Sequence, residues 1–256
     1  MFLAIDAGNS SLKLGLYKGD DLTSLRTVAY EDLNAGMLED LNFKHAAISS
    51  VVPQKTLLCE NIIKSAFGIT PYRISLASRL DLIIDYLTPD TLGIDRICSC
   101  IGALNIADID TLLSGERACI ITIDLGTATT VNLVRILRRN ESAEPHFAGG
   151  LICPGIYTML SSLHKDTAQL PMTRPEDYRG LFGRDTSSSI ASGVITATVG
   201  MIEKVLSVLK NEYAEGSTRL FLTGGNASVR QYFSFRHDYV PDLVLRGVKR
   251  IYEMNS

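Results

Sequence analysis

Residues Phe2–Tyr17 read FLAIDAGNSSLKLGLY: an apolar run carrying Asp6 to its end, a short polar turn, and an alternating strand that resumes at Leu12. Period-2 alternation around a glycine-containing turn predicts a β-hairpin. Its tip gathers a carboxylate, an amide, two hydroxyls and then Lys13, a set suited to a polyphosphate with its metal. The pattern returns further on, where ACIITID ends in Asp124 and LGTATT follows. A single Asp-x-Gly turn says little, because any hairpin can use one. Two of them, each between strands, predict two related halves. If the halves face each other, both carboxylates and both glycine turns meet in one cleft.

Composition narrows the classes. A chain of 256 residues, 46% hydrophobic and 21% charged, is that of a soluble globular protein of one large or two smaller domains. We place the boundary in the polar Asp108–Glu116 stretch, giving halves 1–116 and 117–256. A net charge of -3 with a pI near 5.8 offers no electrostatic case for nucleic acid. The cluster Arg135–Arg139 has strand spacing and reads as a solvated strand end. No basic segment precedes Phe2, and apolar stretches are expected to fall short of the roughly 18 residues a spanning helix needs. No membrane is therefore expected as a partner, and the cytoplasm is the default location. The five cysteines include no C-x-x-C pair, and Cys98, Cys100 and Cys119 read as buried free thiols rather than disulfides or zinc ligands. The four histidines lack ligand spacing.

Taken in order, the first half continues with a strand at Leu25–Ala29 and another at Lys44–Val52 that Pro53 stops. A helix follows over Gln54–Phe67, stopped by Gly68, then a short strand at Tyr72–Leu76. Leu80–Gly93 has no clean period and reads as a loop on the surface of a cleft. Ile94–Ala107 is helical; by position alone, Asp95 in its first turn is a carboxylate favoured by the helix dipole. In the second half, strands Ala118–Asp124 and Val131–Leu137 precede the glycine-flanked run His146–Gly155. Those glycines permit close approach to either a ligand or a neighbouring strand. Helices are expected at Ile156–Leu163, Thr186–Lys210 and Ala227–Phe233, and at the end of Val240–Tyr252. The loop Lys165–Arg184 lies between the first two, and a strand at Arg219–Leu222 leads into the turn Thr223–Asn226, flat enough for a base or ribose.

Six separated motifs carry a resemblance: DAGNSSLKLG (Asp6–Gly15), ISSVVP (Ile48–Pro53), GIDR (Gly93–Arg96), IDLGTATT (Ile123–Thr130), GGLICPG (Gly149–Gly155) and TGGNA (Thr223–Ala227). In this order, from Phe2 to about Tyr252, the chain resembles the type III pantothenate kinases of the acetate and sugar kinase/actin-like ATPase superfamily. The resemblance implies an α/β fold: two related actin-like ATPase (ribonuclease H-like) halves, mixed sheets flanked by helices, with a cleft between them. It implies phosphorylation of pantothenate to 4′-phosphopantothenate, the first step of coenzyme A biosynthesis, by a homodimer using ATP, magnesium, and potassium or ammonium.

At matching positions the resemblance assigns Asp6, Ala7, Gly8, Asn9, Ser10, Ser11, Leu12 and Lys13 to the ATP-phosphate loop, with Thr127 adding a contact from the second turn. Asp124 is implied as the monovalent-cation ligand. Tyr86, Gly93, Ile94, Asp95 and Arg96 line the pantothenate pocket, with Asp95 as general base, and Thr186 contacts substrate. Elementary chemistry agrees with these roles. The N–H groups of Gly8 and Gly126 are expected to reach phosphate oxygens, since no Cβ intervenes. Asp6 suits magnesium held through water. Lys13 reads as countercharge or as an exposed strand lysine. Arg96 offers a planar fork for a carboxylate, and Asp95 can take the proton from a primary hydroxyl. Two residues depart from the family pattern: Asp185 where asparagine is common, and Asn132 where aspartate is common.

Two other readings use the same fold. One is a non-catalytic nucleotide-binding regulator, which would have no need of Asp95. The other is a kinase for another small hydroxylated carboxylate, which differs at Tyr86 and the GIDR segment.

Overall fold

The computed structural model describes residues 1–113, 115–139, 142–213 and 217–256. Strands β1 (Phe2–Ala7) and β2 (Ser11–Lys18) form the expected hairpin, in a register that sets Asp6 opposite Lys13. With β3 (Asp21–Ala29), β4 (His45–Ser50) and β5 (Tyr72–Arg73) they make a sheet of order β3-β2-β1-β4-β5. The first three strands are antiparallel, and β4 and β5 run parallel to β1.

The second half repeats this plan. Strands β7 (Arg117–Leu125), β8 (Ala128–Arg139), β9 (Ser142–Pro154), β10 (Thr218–Thr223) and β11 (Asp238–Tyr239) lie in the order β9-β8-β7-β10-β11, with the same pattern of directions. In each half the strand that ends in the Asp-x-Gly turn is the central one. Both of its faces are therefore covered. Leu3 and Ile5 of β1 face an outer core while Ala4 faces the core shared between the halves; Ile121 and Ile123 of β7 divide from Ala118 and Ile120 in the same way. A strand buried on both sides is mostly apolar, which explains the run before each aspartate; Thr122, buried in β7, is hydrogen-bonded to the Asn132 amide.

The halves exchange elements. A two-residue strand, β6 (Ile83–Ile84), leaves the first half and pairs in parallel with the edge of β9. Leu80–Gly93, expected as a loop, thus holds a strand and a 3₁₀ turn at Pro89–Thr91; its own apolar pairs are too short to announce either. At the other end of the chain, α6 (Leu243–Asn255) returns to pack on β1 and on α2 (Ile94–Ile106).

Other expectations need correction. Pro53 is the first residue of α1 (Pro53–Phe67), because its missing N–H costs nothing in a first helical turn. Within the Asp108–Glu116 stretch lies a one-turn helix, α3 (Ile109–Leu112), capped by the Asp108 side chain. Ala227–Tyr232 is a 3₁₀ segment, not an α-helix. After α4 (Ile156–Lys165) comes α5 (Thr186–Leu209), with a mean hydropathy of 1.4 over its best window; by length and composition it could cross a membrane. The expectation that no stretch is long enough was therefore incorrect: interspersed Ser, Thr and Gly break the apolar run without adding charge.

Helices α2 and α6 cross at backbone contact. A Cβ on Gly247 would lie 1.8 Å from the Cys98 carbonyl oxygen, and one on Gly102 would lie 2.1 Å from that of Leu243. The cysteines of α2 are buried at this crossing, and burial pushes the Cys100 thiol up to about 12. These are inert thiols, as composition suggested. Gly102→Ala forces the two backbones apart and should lower stability by roughly 1–3 kcal/mol, as overpacking of a filled core does. Chemical denaturation of the variant measures this; an unchanged midpoint would contradict the close crossing.

Candidate active site

The C-terminal ends of β1 and β7 open into one cavity of about 710 Å³ between the halves. Open α/β sheets place ligands at this end of their strands. From the first turn come Asp6, Gly8, Asn9, Ser10, Ser11 and Lys13; from the second come Asp124, Gly126 and Thr127. Asp95, at the start of α2, faces the same cavity. The two turns touch: Ser10 Oγ and Thr127 Oγ1 are 2.8 Å apart in a hydrogen bond across the cleft.

Asp6, Asp95 and Asp124 face the same cavity, with Lys13 close to Asp6 and Asp124. Burial raises the Asp6 pKa to about 7; Lys13 lowers it, and Asp95 and Asp124 push it up further. Asp124 is raised by burial too, against the pull of Lys13 and with a smaller push from Asp95. Burial likewise raises Asp95, opposed by the Arg96 N–H, which donates to its Oδ1 at 2.8 Å. Lys13 is thus the countercharge to Asp6 and Asp124, while the Arg96 charge acts on Asp95, and these two cations do not balance three carboxylates. The deficit calls for cations. No cluster of three His, Cys, Asp or Glu side chains among the described residues is arranged to hold a metal by itself. The residues fit an ion held jointly by one carboxylate, water and a bound phosphate.

One expectation about the turns fails. The Gly8 N–H donates to the Ser11 carbonyl at 3.2 Å and that of Gly126 to the Ala128 carbonyl at 3.1 Å, so both are spent closing their own turns. The side chains of Ala7 and Leu12 point into the outer core, so neither lines the cavity.

Arg96 and Tyr86 lie beside the cavity, not in its wall. The Arg96 side chain is buried; its Nε donates to Asn132 Oδ1 at 2.6 Å, and its guanidinium carbon sits 5.3 Å from the Phe147 ring centre and 6.0 Å from that of Tyr86. Asn132 also donates to Thr122 Oγ1 at 3.0 Å, which fixes its amide. Among the described residues no carboxylate pairs with Arg96, and its Nη2 is buried without a partner. Glycine at 150 serves this packing, since a Cβ there would lie 1.9 Å from the Val131 carbonyl oxygen and 2.9 Å from Arg96 Nη2. Asp85 holds β6 in place through its N–H to the Phe147 carbonyl (3.0 Å) and its carboxylate to His146 Nδ1 (2.8 Å), and so positions Tyr86. Gly93 and Ile94 start α2, and a Cβ on Gly93 would lie 2.5 Å from Asp95 Oδ1. Thr186 opens α5, is exposed, and does not line the cavity; Asp185 caps that helix, accepting from the Ser188 N–H at 2.8 Å.

Sequence reasoning missed one wall. Tyr157, Thr158, Ser161, Ser162, Lys165 and Asp166 of α4 and its end line the cavity opposite the first turn. Their spacing of three and four residues marks a polar helix face, a signal that ordinary solvated helices share. The Thr223–Asn226 turn serves the second turn directly. Asn226 Nδ2 donates to the Gly126 carbonyl at 3.0 Å, and Gly224, at φ +107°, leaves no room for a Cβ beside Asp124 and Leu125.

Comparison with known proteins follows the same lines. The family model for type III pantothenate kinase matches residues 2–208. The type III pantothenate kinase of Chlorobaculum tepidum is 30% identical over 89% of this chain and 84% of its own length. That of Dehalococcoides mccartyi strain CBDB1 is 32% identical over 99% of this chain and 96% of its own. A crystal structure from Campylobacter jejuni, described as a conserved Baf family transcriptional activator, shares the fold with a TM-score of 0.58 at 20% identity, over 99% of this chain and 98% of that one.

The raised Asp6 pKa has a sign that can be tested. Between the unfolded value of 3.8 and about 7 the folded protein binds a proton that the unfolded chain has released, so this group's contribution to stability falls as pH rises through that window. In metal-free protein, Asp6→Asn should therefore raise Tm by a few degrees at pH 8 and leave it unchanged near pH 3. Thermal unfolding at the two pH values checks this; equal shifts at both would contradict a buried, titrating Asp6.

Proposed function

The chain belongs to the type III pantothenate kinase family, and from that premise we propose that it transfers the γ-phosphoryl group of ATP to the primary hydroxyl of pantothenate, giving 4′-phosphopantothenate and ADP. The observation that carries the reading is the meeting of both Asp-x-Gly turns and Asp95 in one cavity.

Phosphoryl transfer asks a protein mainly for positioning and charge neutralisation. The first turn, Lys13 and Thr127 receive the triphosphate. Arg96, buried and without a carboxylate partner, is poised to pair with the carboxylate of pantothenate, and Tyr86 flanks it. A neutral Asn132 behind Arg96 leaves that positive charge uncancelled. Asp95 accepts the hydroxyl proton as the oxygen bonds to the γ-phosphorus and the bond to the β-phosphate oxygen breaks. Its raised pKa brings it closer to neutral pH, where a general base works best. Magnesium, held by Asp6 through water, and potassium or ammonium, held by Asp124, would neutralise phosphate charge. Thr186 stands at the head of α5, outside the cavity of one protomer, and a partner subunit would complete its role.

We place the enzyme in the cytoplasm as a homodimer. The apolar groove of about 410 Å³ between α5 and the second sheet, lined by Leu133, Leu151, Met201, Val205 and Val208, supports a protein partner for this face of α5. Sedimentation at the monomer mass at micromolar concentration would remove the dimer from this reading. The regulator reading has less to support it, because a binder alone gains nothing from a desolvated carboxylate at position 95.

The deciding assay is pantothenate-dependent ADP release, with potassium and with sodium. The parent should turn over only with potassium or ammonium. Asp95→Asn should lower kcat by roughly 10²–10⁴ while ATP binding is kept. Full activity in sodium contradicts the role of Asp124; Asp95→Asn turnover within a few-fold of the parent removes Asp95 as the base. No turnover of the parent with any cation leaves the regulator or another substrate.

A further inference from the structure

A turn can present N–H groups to an anion only if its carbonyl oxygens are kept away from it. In the first turn, carbonyls of consecutive residues are each held by a side chain. Ser50 Oγ donates to the Ala7 carbonyl at 3.3 Å, the Tyr30 hydroxyl to the Gly8 carbonyl at 2.7 Å, and Lys55 Nζ to the Asn9 carbonyl at 2.8 Å. A trans peptide is planar, and its C=O and N–H point in opposite directions. With the Gly8 oxygen turned to Tyr30, the Asn9 N–H points away from Tyr30. With the Asn9 oxygen turned to Lys55, the Ser10 N–H points away from Lys55. Neither N–H has a protein acceptor among the described residues, whereas that of Gly8 is already used within the turn. Asn9 and Ser10 both line the cavity; Tyr30 and Lys55 do not.

The two donors come from different elements. Tyr30 follows the end of β3, and Lys55 is in the first turn of α1. They are joined to each other: the Lys55 ammonium lies 3.5 Å from the centre of the Tyr30 ring, close enough for a cation–π interaction. The pair therefore acts as one bracket behind the loop, and its charge reaches the loop through the Asn9 carbonyl.

We propose that Tyr30 and Lys55 are positioning residues that hold the Gly8 and Asn9 carbonyls back, so that the N–H groups of Asn9 and Ser10 face an incoming polyphosphate chain. This rests on the reading of the first turn as the phosphate loop. The ligand feature selected is the anionic oxygen of the phosphate chain, not the nucleoside. Release of either carbonyl lets its peptide rotate and turn an oxygen toward the phosphates.

Tyr30→Phe keeps the ring beneath Lys55 and removes only the hydroxyl; Lys55→Met keeps the stem and removes the ammonium. Steady-state kinetics and calorimetric titration with magnesium tripolyphosphate test both. Each variant should raise KM for ATP and Kd for tripolyphosphate by about 5- to 20-fold, the scale of one lost hydrogen bond. KM for pantothenate and Tm should stay near the parent's, and Lys55→Arg, which keeps a donor, should restore most of the affinity. In the double variant the losses should combine less than additively, because the two side chains touch. Tyr30→Phe and Lys55→Met both matching the parent toward tripolyphosphate would overturn the bracket and leave the phosphate loop standing. A rise in both KM values together with a fall in Tm would also overturn it, as a general loss of fold. A parent that does not bind tripolyphosphate overturns the phosphate loop and the bracket with it.

Discussion

Asp6, Asp95 and Asp124 face one cavity, with Lys13 as countercharge to Asp6 and Asp124 and Arg96 acting on Asp95, and much of the molecule is arranged to make that tolerable. A carboxylate at the end of a fully buried strand loses hydration, and a second carboxylate nearby raises the cost. Lys165 also lines the cavity, but the positive charges that bear on these carboxylates are those of Lys13 and Arg96. The remaining negative charge makes the cavity favourable to cations. The hydrogen bond between Ser10 and Thr127 holds the two turns together across the cleft.

The frame that supports this cavity is built by exchange. α6 crosses α2 at backbone contact, so the helix that carries Asp95 in its first turn is fixed by a segment about 150 residues further along the chain. β6 leaves the first half to pair with β9, which brings Tyr86 next to Phe147 and Arg96. Arg96 then has aromatic rings on its faces, a neutral amide at Nε and an unpartnered Nη2. The Arg96–Tyr86 corner and the repeated turns are thus built by different parts of the protein: the first by a strand and helix joined by exchange, the second by the two central strands.

Turn chemistry was less legible than turn position. Gly8 and Gly126 stand out in the sequence and were natural candidates for phosphate contact, yet their N–H groups close their own turns. The free donors belong to Asn9 and Ser10, whose orientation depends on Tyr30 and Lys55, residues more than 20 positions away. The wall formed by α4 was hidden for a related reason. A polar helix face looks the same in sequence whether it meets solvent or a ligand, and only the opposing turn makes the difference.

By itself the sequence determined the two central strands, their terminal aspartates, the hairpin beside each and the membership of the chain in a kinase family. The strands and turns are local facts, set by apolar runs and by turn residues that allow little else; the family rests on the order of the six motifs. Only the tertiary structure decided that Asp95 shares the cavity with both turns, that β6 and α6 change partners, and that distant side chains hold the loop carbonyls. Those outcomes depend on which surfaces meet, and no spacing along the chain records that.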